Sequence, residues 1–148
     1  MAVFASLYAV LVYVFALISF YALQFRVAGA IRPAIARKWI LSIGYAIGVV
    51  VGNLFSPLAG PFELIFMPVM SLLAGLLGYL TARMFKSNYF VAGIVVATVI
   101  AFSVSWMLNQ LLNLPTLATL PYLFVSEQLV SFIGASIFKL IEKRFRWW

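Results

Sequence analysis

The sequence predicts an all-α integral membrane protein, a compact bundle of six transmembrane helices whose second member is short or irregular. Three observations lead there. Hydrophobic residues make up 66% of the 148 and charged ones only 9%, whereas a soluble domain is about half apolar and about a quarter charged. The apolar runs are continuous over roughly 15 to 25 residues, without the alternation that a transmembrane barrel needs. The ten cations punctuate the ends of those runs instead of clustering on a polar surface. A net charge of +7 therefore reads as the positive-inside pattern of membrane proteins and not as a nucleic-acid footprint.

The chain contains no Cys, His or Asp. Thiol and Ser-His nucleophiles, an aspartyl dyad and imidazole or thiolate metal sites are thereby excluded. The only carboxylates are Glu63, Glu127 and Glu142, so no catalytic residue, cofactor or metal is expected.

Residues 1–148 read as a single transmembrane domain. The first span is expected over 2–23, uncharged throughout. It lacks a basic n-region and a small-residue cleavage site, so it reads as a retained span and not a signal peptide. Ala5 and Ala9, four apart on one helix face, permit close helix approach; internal packing and the docking of a partner protein both remain open. Residues 27–37, interrupted by Arg32 and Pro33, are too few to cross about 30 Å as a straight α-helix. A short, tilted or partly buried helix is predicted there.

The third span covers 39–55, with Gly44, Gly48 and Gly52 at a spacing that favours close contact. The fourth covers 61–84. Pro61 opens it where a missing N–H costs nothing, and Pro68 should kink it and free a carbonyl near Leu64. The fifth covers 89–112, ending in polar Asn109, Gln110 and Asn113. The sixth covers 122–143, followed by a basic tail with the interfacial pair Trp147-Trp148. Placing both termini in the cytoplasm puts eight of the ten cations inside and leaves only Arg26 and Arg32 outside, which fixes the expected orientation in the cell membrane.

That topology gathers Gln24, Arg26, Asn53, Glu63, Asn109, Glu127 and Gln128 near the outer face. Glu127 lies six residues past Pro121, about 9 Å along its helix. An ionised carboxylate at such depth needs a partner or solvent. An outward-facing polar pocket is expected, although Arg26 pairing with Glu63 or Glu127 to fix helix packing is the plainer alternative.

The segments Gln24-Phe25-Arg26-Val27, Arg37-Lys38-Trp39-Ile40, Gly52-Asn53-Leu54-Phe55-Ser56-Pro57 and Ser126-Glu127 resemble, in order and spacing, the QueT family. These are substrate-binding S components of energy-coupling-factor (ECF) transporters, implicated in uptake of queuosine precursors. The resemblance implies a six-helix S component that captures a 7-deazaguanine type of molecule from outside. It also implies partners: a transmembrane coupling subunit docked on the small residues Ala5 and Ala9, and two cytoplasmic ATPases. Carried onto this chain, it implies ligand contacts from Gln24, Phe25, Arg26, Asn53, Glu63 and Glu127. A carboxylate would read the ring N–H edge, Arg26 or an amide the carbonyl, and Phe25 the flat face.

The chain departs from the family pattern at Ala28-Gly29, where relatives tend to carry Ser-Glu, and in the apolar detail of Phe62 to Met67. An S component for another vitamin or nucleobase-like solute, and a stand-alone proton-coupled carrier, are the competing readings.

Overall fold

The computed structural model describes residues 1–20 and 25–148. Among them the regular elements are helical: α1 (Ala2–Val14), α2 (Ala16–Phe20), a 3₁₀ helix (Val27–Ala36), α3 (Ile40–Asn53), a π-helical turn (Phe62–Phe66), α4 (Met67–Met84), α5 (Tyr89–Leu112) and α6 (Thr116–Arg144). The fourth, fifth and sixth predicted spans, at 23, 24 and 29 residues, are each long and apolar enough to cross a membrane.

The 3₁₀ helix is the hub. It runs for ten residues, although such runs seldom exceed three or four. Its rise of about 2.0 Å per residue carries it roughly 20 Å, against about 15 Å for an α-helix of that length. It touches α1, α3, α4, α5 and α6, while those five helices neighbour one another in the order α1–α3–α4–α5–α6. They form an arc around it. All of its residues except Val27 and Ala30 are buried, which explains why so short a segment contains so many small side chains.

Glycines on the surrounding helices receive this segment. Pro33 has no N–H to offer the Ala30 carbonyl in 3₁₀ register. That carbonyl points instead at Gly134 of α6, where a Cβ would lie only 1.9 Å from it. On α5, a Cβ at Gly93 would meet the Pro33 ring at 3.3 Å. The Gly44, Gly48 and Gly52 stripe serves a different contact: it faces Met1, Ala5, Tyr8 and Val12, so it seats α1 on α3.

Two boundaries differ from those expected. α6 starts at Thr116, with Pro121 inside the helix, not near residue 122. The extra turn before the proline is tied to α5 by a Ser105–Thr119 hydroxyl hydrogen bond of 2.8 Å. The first span has a one-residue break at Phe15.

The Gly134 contact leaves no space for a side chain. Gly134→Ala should destabilise the protein by about 1–3 kcal/mol, the range for overpacking. Gly60→Ala, whose Cβ meets nothing nearer than 3.7 Å, should be close to neutral. Thermal unfolding of both variants in detergent tests the difference.

Candidate functional site

Three arginines mark the start, middle and end of the buried segment, and each is paired with one of the three glutamates of the chain. Arg26 meets Glu63 of the π-helical turn at 3.7 Å, Arg32 meets Glu127 in α6, and Arg37 meets Glu142 near the end of α6 at 2.6 Å. In a 3₁₀ helix, residues three apart eclipse. Arg26, Gly29 and Arg32 therefore share one ridge, and Gly29 leaves the space that the Arg32 guanidinium fills: a Cβ there would come within 3.0 Å of it.

The outermost pair has the character of a binding site. Pro68 cannot donate a hydrogen bond, and the N–H of Met67 bonds to the Phe62 carbonyl in π register. The Glu63 carbonyl thus loses its helical donor in either register. Asn53, the last residue of α3, donates its Nδ2 to it at 2.9 Å. The carbonyl freed by Pro68 is that of Glu63, one residue before the position expected. π-Helical turns of this kind recur at functional sites.

Arg26, Asn53 and Glu63 are all at least 97% buried, by their 3%, 0% and 1% exposures. Yet Arg26 Nε and Nη2, Asn53 Oδ1 and Glu63 Oε2 have no hydrogen-bond partner among the described residues. Donors and acceptors converge there in a place where unsatisfied polar atoms are costly. The face of Phe20 lies 5.7 Å from the Arg26 guanidinium.

The second pair is deeper. Because α6 begins at Thr116, Glu127 lies about 16 Å along it, not about 9 Å, and so near mid-bundle. Arg32 is fully buried; its Nη2 donates to the Tyr8 hydroxyl at 3.5 Å and its guanidinium lies 5.4 Å from the Tyr45 ring. Arg32, expected among the outer-face cations, is instead inside the bundle. At the opposite end, Arg37 is enclosed by the rings of Tyr89 and Trp148 at 4.8 and 5.1 Å, while Trp148 donates its indole N–H to Glu142 at 3.1 Å.

Of the residues expected in one pocket, the structure brings together Arg26, Asn53 and Glu63, and it seats Glu127 separately with Arg32. Phe25 is half-buried beside Arg26. Asn109 belongs elsewhere: its Nδ2 donates to the Leu114 carbonyl at 2.8 Å and caps the end of α5. Gln128 turns away from Glu127 toward α5, donating to Thr98 Oγ1 at 2.9 Å. Gln24 lies outside the described residues. Ala5 and Ala9 are both buried within the chain, Ala5 against Gly48. Sequence reasoning missed Arg32, Tyr8, Tyr45 and Phe20 as neighbours of the charges; the available signal was the equal number of glutamates and of arginines between residues 26 and 37.

An apolar helical bundle whose buried charges are paired within it has the make-up of an integral membrane protein. A family model described as QueT transporter matches residues 1–143, and the chain belongs to that family. It is a membrane transport protein. Neither the curated proteins nor the solved structures include a match to it.

Removing one partner of a buried ion pair costs about 3–5 kcal/mol, while replacing both by apolar groups is often near neutral. Arg32→Met or Glu127→Leu alone should therefore lower the thermal midpoint strongly, and the double variant should recover most of the loss. Additive losses in this double-mutant cycle would show that the two side chains do not act as a pair.

Proposed function

We propose that the protein is the S component of an ECF-type importer and that it captures a queuosine precursor of the 7-deazaguanine type. The observation that carries this reading is the buried cluster of Arg26, Asn53 and Glu63, whose donors and acceptors include several without a partner among the described residues. A deazaguanine ring presents an amino group and ring N–H beside a carbonyl. Glu63 Oε2 and Asn53 Oδ1 suit the former, and the Arg26 nitrogens the latter. Phe20 and Phe25 supply apolar faces beside the guanidinium, and Gln24 adds an amide from the same motif. Glu127, held by Arg32, serves as a deeper carboxylate for an aminomethyl ammonium if the ligand carries one.

The cation distribution supports an orientation with both termini in the cytoplasm. Once Arg26, Arg32 and Arg37 are paired, the seven remaining cations are Lys38, Arg83, Lys86, Lys139, Lys143, Arg144 and Arg146. All stand where α3 begins, α4 ends, α5 begins or α6 ends, at the end that also holds Met1 against Gly44. The Arg26 cluster, at the opposite end, then lies toward the outer face. Energy comes from two ATPases on a coupling subunit. Since Ala5 and Ala9 are buried, that subunit meets the exposed strip beside them, at Val3, Leu7 and Val10, and the two alanines set how closely α1 seats beneath it.

Calorimetry of the purified chain should show binding of 7-deazaguanine precursors. Arg26→Gln and Glu63→Gln should each weaken it at least roughly tenfold, as loss of a charge-assisted hydrogen bond implies, whereas Gln128→Ala should leave it unchanged. No binding by the folded wild-type chain removes the ligand assignment. Failure to co-purify with a coupling subunit and its ATPases removes the importer assignment independently.

A further inference from the structure

The turn between α4 and α5 holds a second site, unrelated to the Arg26 cluster. Lys86 and Ser87 adopt left-handed backbone conformations, with φ of 57° and 55°, and the turn is closed by the Ser87 N–H donating to the Ala82 carbonyl at 2.8 Å. The strain of two such residues holds Lys86 at the rim of a cavity of about 300 Å³ that Arg37, Lys139 and Glu142 also line. Glu142 is engaged by Arg37 and Trp148, so three cations against one carboxylate leave a formal excess of two positive charges. Lys86 and Lys139 are exposed.

Phe90 lines this cavity and also a groove of about 420 Å³ on the flank of α5 and α6, whose walls include Ile94, Phe124, Leu129 and Phe132. The Phe90 ring lies 5.6 Å from Lys139 Nζ and 5.1 Å from the Phe132 ring. Of the two polar side chains in the groove, Gln128 is turned to α5, donating to Thr98 and to the Ile94 carbonyl, and Ser131 is buried at its floor. The surface is therefore cationic at the end of two membrane-length helices and apolar along their flank, without interruption between them.

From this continuity we infer that the α5–α6 face is a binding site for one anionic phospholipid, its phosphate between Lys86 and Lys139 and one acyl chain in the groove walled by Phe90 and Phe132. An amphiphile with an anionic head and a hydrocarbon tail complements both halves. A soluble anion matches only the cavity, and a neutral lipid only the groove. Juxtamembrane lysines attract anionic headgroups at about 1 kcal/mol each.

The test is native mass spectrometry of the full chain released from nanodiscs of equal phosphatidylglycerol and phosphatidylcholine content. The expected result is a retained phosphatidylglycerol adduct. Its occupancy should fall roughly fivefold for each of Lys86→Gln and Lys139→Gln, should fall again when Ile94→Trp fills the groove, and should barely change with the distal pair Lys143→Gln and Arg144→Gln. Equal retention of the two lipids, an equal loss from the distal pair, or no loss with Ile94→Trp would each overturn the assignment. So would displacement of the lipid by glycerophosphoglycerol at the same concentration as by intact phosphatidylglycerol, since that describes a headgroup-only anion site. Because Lys86, Lys139 and Ile94 are exposed, the variants keep the core intact, and a circular dichroism spectrum matching wild type is the condition for including each.

Discussion

The architecture depends on matching every negative charge of the chain to a positive charge on a single buried segment. Glu63, Glu127 and Glu142 come from the π-helical turn, the middle of α6 and its last turns, and Arg26, Arg32 and Arg37 meet them in that order. An unpaired charge inside a bilayer-spanning body is expensive, so each pair constrains the level at which the segment can sit. Together they fix its register against α6 and α4, which apolar packing alone would leave free to slide. The elongated 3₁₀ form follows: ten residues in α geometry would be about 5 Å too short to keep the same levels.

The small residues follow from the same constraint. A central segment surrounded by five helices can be reached only where those helices lack side chains, hence Gly93 and Gly134, and only if it carries few itself. Gly29 illustrates the balance. A side chain there would crowd the Arg32 guanidinium, so the interior gives up a packing group to keep a charge in line with its partner. At the outer end the arrangement changes character. Arg26 and Glu63 approach to 3.7 Å without a hydrogen bond between them, whereas Arg37 donates to Glu142, which also accepts from the Trp148 indole N–H.

Much of this was legible in the sequence. Continuous hydrophobicity identified the class, and the placement of Pro68 foretold the distortion beside Glu63. The glycine spacing at 44, 48 and 52 announced a close helix contact, though not that α1 would be the partner. The misreadings share a cause: one-dimensional patterns report level and period, not azimuth. Arg32, next to Pro33, looked like an outer-face charge because the sequence cannot show that a 3₁₀ helix turns it inward. Gln128 looked like a companion of Glu127, but neighbours on an α-helix point about 100° apart. Pro121 looked like a helix start because the sequence cannot show that the turn before it packs on α5 through Ser105 and Thr119, distant positions in the chain.

The one-ended distribution of the unpaired cations has an electrical consequence. Seven cations without a carboxylate partner among the described residues stand at one pole, so any tilt in a membrane field would carry an energy. A tilt carrying that pole through a tenth of a 100 mV drop would exchange about 1.6 kcal/mol with the field, at about 2.3 kcal/mol per full charge transfer. That is more than a tenfold bias between two such tilts, at about 1.4 kcal/mol per factor of ten.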